Sequence, residues 1–480
     1  MVKNSGDKLE EVIPDHPIIE KKIQKTLKLS VKEGCVANIS TSLGPSYFAP
    51  FALAVGATAP QIGILSAFAY LLPGISQFNN SRKFKENKKK KIIVTRILLA
   101  YSLLLILAFT GFLFLNNFNH LVWAIIAIVG LYYYIIGPAS SYWYVWMGTL
   151  VKDNDRAKYF SNRLKLNQTA GLIAMILSAL FLDFMKRYNP SLTVEYTIYA
   201  FILLFFLSFL FRIRDVLLLN KHYEPHLKIK KKEEISFKRF LKEEPKTPFG
   251  KFVMFMGVFN LSMAIASPFF TLYMLQVLNF SYTWFIFTTI GAVLLNIVSL
   301  PLLRKISDKY GSIFLTKLSC FSISLIPLFW ISTFFIVLSE FWLFTYVMLF
   351  MSILYGIGSA GLILVGRTYT YDANKTQNRK YAFPYLNLVV GIGAFIGSLL
   401  GALLAFLDIN LMGSSLLIIF IVSFVFRIVS TIVGSKNLHE VRKTDKFKAE
   451  YFIRDLKPFH SLNRGSHRFG HHNYEVVHHI

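Results

Sequence analysis

A long polar stretch, residues 212–251, separates two strongly apolar blocks of this chain. On either side of it lie six apolar runs of about twenty residues, the length that crosses a bilayer as a helix. Because lipid cannot pair with backbone N–H and C=O groups, such runs form helices in a membrane. The pattern predicts an all-α integral membrane protein with twelve transmembrane helices in two pseudo-symmetric six-helix bundles.

The predicted helices fall into two sets of six. The first set covers residues 34–55, 58–80, 92–116, 121–150, 164–184 and 194–213, and the second covers 250–277, 283–303, 313–337, 341–366, 382–407 and 411–434. The predicted organisation is an N-terminal tail (1–33), an N-terminal bundle (34–213), a linker (214–249), a C-terminal bundle (250–434) and a basic, His-containing tail (435–480).

Composition agrees with a membrane location. The chain of 480 residues is 54% hydrophobic and only 16% charged, and its mean hydropathy is +0.49. The net charge of +26 could suggest nucleic acid, but the basic residues lie between apolar segments and in the tails. We therefore expect the lipid bilayer, and not nucleic acid, as the surrounding partner. The polar start of the chain does not resemble a cleavable signal peptide.

The basic residues also predict the orientation, because Lys and Arg hold short loops on the cytoplasmic side. Loops 81–91, 151–165, 304–317 and 367–380 carry twenty basic residues together, whereas the opposite turns carry only Lys186 and Arg187. This alternation predicts a multi-pass protein of the plasma membrane with both termini and the linker in the cytoplasm.

No metal or cofactor site is expected. Cys35 and Cys320 fall near the cytoplasmic ends of predicted helices, where thiols stay reduced. The C-terminal tail has histidines that could bind a metal in principle, but it lacks acidic or Cys partners, so a solvated tail is favoured. These histidines are His471, His472, His478 and His479.

Motifs of membrane enzymes are absent from the sequence. It contains no HExxH, GxSxG, GKS or GKT motif and no acidic pair inside a predicted helix. Asp183 is placed at the outer end of the fifth helix, and Arg427 is expected to snorkel from the twelfth to the cytoplasmic surface. We therefore predict that the protein is not an enzyme. A lack of carboxylates in the helices favours uniport, or coupling to another ion or a second solute, over proton symport.

Neutral polar residues recur on single faces of the first, fourth, seventh and tenth helices, the first of each group of three. Packing of helices against each other is the plain explanation for any one of them. The recurrence instead predicts a shared substrate cavity. Its candidate residues are Asn38, Ser42, Tyr133, Ser140, Tyr144, Asn260, Ser267, Thr271, Tyr355 and Ser359.

The segment LLRKISDKYGS, residues 302–312, resembles the cytoplasmic loop motif of the major facilitator superfamily, although Arg304 stands where the motif has Gly. Loops 151–165 and 367–380 also resemble each other, with Arg156 and Arg379 at a spacing of 223. The resemblance implies a cytoplasmic latch in which Asp308 meets a helix N-terminus and a nearby basic residue. The latch candidates are Asp308, Lys309, Gly311, Arg156 and Arg379.

The same resemblance implies a monomeric transporter that works by alternating access, with its site near the midplane between two bundles. The fourth helix lacks the Arg of proton-coupled members, and the fifth lacks the antiporter Gly-Pro motif. Neutral groups and aromatics favour a small uncharged or amphipathic solute over a dicarboxylate or phosphate. Two alternatives stay open at this point: a multi-spanning enzyme acting on a lipid-linked substrate, and a transporter-like receptor.

Overall fold

The computed structural model describes residues 17–81, 89–113, 118–151, 156–188, 193–225, 244–336, 339–373, 379–407, 414–442 and 444, and this part of the chain is helical and has no strand. The helices of the first half are α1 (Pro17–Leu43), α2 (Phe48–Ala54), α3 (Ala59–Ser81), α4 (Lys89–Leu113), α5 (Phe118–Leu150), α6 (Arg156–Tyr188) and α7 (Thr193–Asn220). Those of the second half are α8 (Pro248–Ala264), α9 (Ser267–Leu272), α10 (Tyr282–Tyr310), α11 (Ser312–Ser324), α12 (Ile326–Ser332), α13 (Glu340–Met351), α14 (Gly358–Asp372), α15 (Arg379–Phe406) and α16 (Leu416–Val429).

Several of these helices join end to end into single membrane spans. Helices α1 and α2 form span 1, α8 and α9 form span 7, α11 and α12 form span 9, and α13 and α14 form span 10. Prolines Pro45, Pro268 and Pro327 stand at the first turns that follow the breaks in spans 1, 7 and 9, where a missing N–H costs nothing. Numbered in chain order, the helices of the described residues make twelve spans, six in each half, and the predicted fold is confirmed.

Ten of the twelve spans are apolar enough to cross a membrane by composition alone, as judged on the described residues. The other two, spans 1 and 6, carry charged residues. Helix α1 begins at Pro17, well before the predicted start at 34, and α7 continues to Asn220, past the predicted end at 213. A search for apolar runs misses both extensions because hydrogen bonds and ion pairs, not lipid contact, hold them in place.

Span 11 packs closely against span 7 of its own bundle. A Cβ added at Gly393, Gly397 or Gly401 would lie 2.0 to 2.2 Å from a backbone oxygen of span 7. Glycines at every fourth position therefore let the two backbones touch, which is a common way for helices to associate in lipid.

The two bundles meet mainly where spans 2 and 11 run antiparallel. Near one end, a Cβ at Gly63 would lie 2.7 Å from the Cβ of Ala402, and near the other the rings of Phe78 and Tyr385 are 6.0 Å apart. We call the membrane face where α7 ends and α8 begins the linker face. At the opposite face, Asp183 of span 5 accepts hydrogen bonds of 2.8 Å from the N–H groups of Tyr282 and Thr283, which begin span 8.

Candidate functional site between the two bundles

Tyrosines from both bundles face each other in the interior of the molecule. The Tyr70 side chain of span 2 lies close to the side chains of Ser267 in span 7 and Tyr355 in span 10. Protein surrounds both tyrosines, yet Tyr70 is 41% exposed and Tyr355 43% exposed. They therefore face an internal space between the bundles.

A buried arginine lies close to these tyrosines. Arg427 lies within electrostatic range of Tyr355 and Tyr70 and is only 1% exposed. Its guanidinium donates to the carbonyl oxygens of Met263 at 2.8 Å and Ile323 at 3.0 Å. The expectation that Arg427 snorkels to an aqueous surface is therefore wrong, because neighbouring helices enclose the side chain and supply its acceptors.

The N-terminal bundle has a related arginine. Arg212 of span 6 lies over the Tyr101 ring, with 4.6 Å from the guanidinium carbon to the ring centroid. It forms an ion pair of 3.3 Å with Asp215, one helical turn further on. Asp215 is fully buried. Here the arginine has an internal carboxylate that compensates its charge.

A second buried ion pair lies close by. Arg163 of span 5 donates to Glu33 of span 1 at 2.9 Å and to the Ser30 carbonyl oxygen at 3.1 Å. Its guanidinium carbon stands 3.9 Å from the centroid of the Trp143 ring. Because spans 1 and 6 are longer than predicted, Glu33 and Asp215 are both buried among helices. The premise that the helices contain no carboxylate, on which the argument against proton coupling depended, is therefore wrong.

Some predicted cavity residues make contacts within one bundle. Asn38 donates to the Gly34 carbonyl oxygen of its own helix at 2.9 Å, and both Asn38 and Ser42 lie against Gly171 of span 5. Asn260 donates in the same way to the Met256 carbonyl oxygen at 2.8 Å. In span 10, the Ser359 hydroxyl accepts a 2.9 Å hydrogen bond from Asn296 of span 8.

The structure brings three other predicted residues to the internal space. These are Ser267 and Tyr355, described above, and Tyr133, which lies within electrostatic range of Tyr70. Ser140 is exposed and donates to the carbonyl oxygen one turn earlier at 3.3 Å. Thr271 is half-buried in α9, and the side chain of Tyr144 lies outside the described part of the chain.

Sequence reasoning missed Tyr70 and the site role of Arg427. It considered only the first helix of each group of three, whereas Tyr70 belongs to span 2 and Arg427 to span 12. A charged residue in the middle of the very apolar run 416–434 is itself a signal of function. Because Arg427 was expected to reach the cytoplasmic surface, its central position was not interpreted as functional.

The comparison with known families agrees with this architecture. The sequence matches the family described as the Major Facilitator Superfamily over residues 34–350, more than half of the chain. The chain belongs to this superfamily. It is a membrane transporter, and the family points to a transporter rather than an enzyme. A comparison with curated proteins finds no match.

Solved transporters share the superfamily fold with this chain. An auto-inhibited POT family peptide transporter aligns with a TM-score of 0.60 at 12% identity, over 88% of this chain and 98% of that one. A bacterial homologue of the iron transporter ferroportin gives 0.56 at 13% identity, over 86% and 98%. The nucleoside transporter NupG gives 0.53 at 14% identity, also over 86% and 98%. Identities this low show the fold alone.

The superfamily loop motif lies at the linker face. Asp308 is exposed and forms ion pairs with Arg304 at 3.6 Å and with Arg442, beyond span 12, at 3.8 Å. Arg442 also pairs with Asp372 at the end of span 10, and this contact, with the nearby Asp308, raises the pKa of Arg442. The Lys309 ammonium is 5.4 Å from the centroid of the Tyr310 ring.

Of the remaining latch candidates, Gly311 lies in the same region. Gly311 has φ of +96° and ends α10, a conformation that favours glycine. A Cβ there would lie only 2.4 Å from a carboxylate oxygen of Glu440. That carboxylate accepts a 2.8 Å hydrogen bond from the Ile313 N–H at the start of α11. The helix N-terminus therefore meets Glu440. The side chains of Arg156 and Arg379 lie outside the described residues.

The N-terminal half of this superfamily member repeats the arrangement. Glu224 accepts from the Lys90 N–H at the start of span 3 at 3.2 Å, as Glu440 accepts at the start of span 9. Trp146 donates to the Tyr223 carbonyl oxygen at 3.1 Å, and Tyr369 donates to that of His439 at 2.9 Å. In both halves, an aromatic donor and a glutamate therefore hold the segment that follows the last span of that half.

Proposed function

We propose that the chain moves a small uncharged or amphipathic solute across the plasma membrane by alternating access. The two bundles would rock about the internal space lined by Tyr70, Ser267 and Tyr355. One observation supports this proposal: partly exposed polar side chains of both bundles lie close together in the interior of the molecule. Transporters of this superfamily hold their solute in that region.

The walls of this space favour a solute with an apolar or aromatic body. Tyr133 makes edge contacts with Tyr132 and Phe48, at centroid distances of 5.4 and 6.0 Å. The similar structures are named for peptides, iron and nucleosides. Peptides, iron and nucleosides are too different chemically to select one solute. The preference for a solute with an apolar or aromatic body therefore depends on the aromatic residues around the space. A single chain supplies both halves of the cavity, in agreement with a monomeric transporter.

Transport into liposomes tests the proposal once a screen of small amphipathic compounds on the purified chain has identified a solute. Tyr70→Phe and Tyr355→Phe each remove one hydroxyl at the internal space. We expect each to raise KM by up to roughly tenfold, the effect of losing one hydrogen bond. Tyr346→Phe is the matched control, because its hydroxyl bonds Ser332 inside the C-terminal bundle at 2.9 Å. Equal transport by all three variants would refute the assigned cavity.

The proposed orientation places the linker and both termini in the cytoplasm. Single cysteines at positions 117 and 231, in a chain whose two native cysteines are replaced by Ala, would report the two sides of the membrane. An impermeant thiol reagent applied to intact cells should modify position 117 and leave 231 unmodified. The reverse pattern would show that the chain lies the other way round.

A further inference from the structure

Arg427 is a buried cation whose hydrogen-bond partners in the described part of the chain are neutral. The side chain lies in the middle of span 12, and its hydrogen bonds run to backbone carbonyl oxygens of Ser262, Met263 and Ile323. Carbonyl oxygens satisfy N–H groups but carry only partial charges. Among the described residues, no carboxylate forms an ion pair with Arg427.

The equivalent arginine of the other bundle shows what is missing. Ser208 donates to the Ser40 carbonyl oxygen at 2.7 Å, and Ser423 donates to the Ser262 carbonyl oxygen at 2.8 Å. Arg212 follows Ser208 by four residues, and Arg427 follows Ser423 by four. The two arginines therefore occupy matching places in spans 6 and 12.

The two halves differ at the next turn. Three residues after Arg212 stands Asp215, the carboxylate that pairs with it. Three residues after Arg427 stands Ser430, a neutral side chain that donates to the Arg427 carbonyl oxygen at 2.9 Å. The N-terminal arginine is thus neutralised within its bundle, and the C-terminal arginine is not.

An uncompensated cation in a membrane interior attracts an anion strongly, because the low dielectric weakens its field little over a few ångströms. Tyr70 and Tyr355 lie close to Arg427 and are themselves partly exposed, and each carries a hydroxyl that can donate to an anionic oxygen. One unpaired positive charge is balanced by one negative charge. A phosphate dianion would leave the site with a net negative charge.

We propose that the internal space binds a small amphipathic monocarboxylate. Its carboxylate accepts hydrogen bonds from Tyr70 and Tyr355, Arg427 supplies the compensating charge from close by, and the aromatic wall holds the apolar body. This inference names the solute class of the proposed transport site, and its binding step can be tested without transport. Arg427 acts here through the field and the tyrosines, as a positioning residue.

Binding of a charged and a neutral probe of the same shape tests the inference. The full-length chain, purified in detergent, is heated with sodium benzoate or with benzamide plus sodium chloride at equal ionic strength. We expect benzoate to bind roughly tenfold tighter, as judged from the concentration dependence of Tm, because only benzoate carries a charge. Equal binding of the two probes by the wild-type chain would overturn the proposal.

Substitutions identify the source of the preference. Ser430→Asp gives Arg427 the internal carboxylate that Arg212 has, so we expect the benzoate preference to disappear while the chain stays folded. Arg427→Lys should retain the preference, and Arg427→Gln should abolish it. Arg212→Gln is the matched control, which lowers Tm but leaves the preference intact. A preference that survives in Ser430→Asp would contradict the role of Arg427.

Transport and binding can fail separately. Preferential benzoate binding through Arg427 without uptake of any solute into liposomes would refute the transport proposal and leave the anion site in place. Uptake of a neutral solute by a wild-type chain that binds both probes equally would refute the anion site alone.

Discussion

Arg163 shows how one side chain fixes a helix that the membrane does not hold. Its planar guanidinium pairs with Glu33, donates to a carbonyl oxygen of α1 and stacks on Trp143. A lysine could not make these contacts together, because a single ammonium group has neither the fork nor the flat face. The polar start of α1 is therefore attached to span 5 and needs no lipid contact.

His222 at the linker face is expected to make stability depend on pH. It is buried against Trp146, at 5.8 Å between ring centroids, and burial lowers its pKa to about 4. An unfolded histidine has a pKa of about 6.5. Between these values the unfolded chain binds a proton that the folded chain excludes. Stability is therefore complete above about pH 6.5 and falls as the pH drops toward 4, by about 2 kcal/mol at roughly pH 5.

The measurement compares Tm of the purified chain at about pH 7.5 and about pH 5, in the wild type and in His222→Leu. Leu438 follows span 12 as His222 follows span 6, so leucine suits this position. Other titrating groups are common to both proteins, and their contribution cancels in the difference. An equal loss of Tm in both proteins would show that His222 is not responsible.

At the scale of elements, the glycine stripe of span 11 predicts a packing limit. A methyl group at Gly397 would lie 2.0 Å from the Leu261 carbonyl oxygen of span 7, so Gly397→Ala must push the two helices apart. We expect a loss of about 1–3 kcal/mol, typical of overpacking, seen as a lower Tm in detergent.

Gly366 in α14 provides the control, because a Cβ there meets no atom within 4 Å. Gly366→Ala should leave Tm unchanged or raise it, since alanine is the better helix former. If both variants lost the same stability, the effect would come from backbone propensity and not from the contact between spans 7 and 11.

The elements differ in how far the sequence predicts them. Apolar runs identified all twelve spans, because lipid exposure requires such runs. They did not reveal that α1 begins at Pro17, since its polar residues are satisfied by neighbouring helices. Polar stripes were less informative still: Asn38 and Asn260 bond carbonyl oxygens of their own helices, and this choice of partner depends on the packing of the whole bundle.

At the scale of the molecule, the two halves repeat a pair of hydrogen bonds that sequence similarity did not show. Glu224 and Glu440 each hold the start of a helix, and Trp146 and Tyr369 each donate to the residue before the glutamate. Trp146 and Tyr369 are 223 residues apart, and so are Lys90 and Ile313. This is the spacing already noted for Arg156 and Arg379. Each half therefore holds the segment after its last span against its own helices in the same way.

Asp183 provides the hydrogen bonds that join the bundles at the face opposite the linker. Its carboxylate accepts from two N–H groups at the positive end of α10, and these bonds must break before that face can open. Asp183→Ala removes both, each worth about 1.5–3 kcal/mol as a bond to a charged group. A loss of about 3 kcal/mol would shift the balance between the two states roughly a hundredfold toward opening at this face.

A cysteine at Thr271, half-buried in α9 near the same face, reports the opening in a chain without Cys35 and Cys320. An impermeant thiol reagent added from that face should modify it much faster in Asp183→Ala than in the wild type, with Asp183→Asn in between. Glu340→Gln is the matched control, because this carboxylate stands at the start of α13 on the same face. Glu340 belongs to the C-terminal bundle alone, so the loss of its charge should leave the labelling rate unchanged. Equal labelling rates in all four proteins would rule out a gate at Asp183.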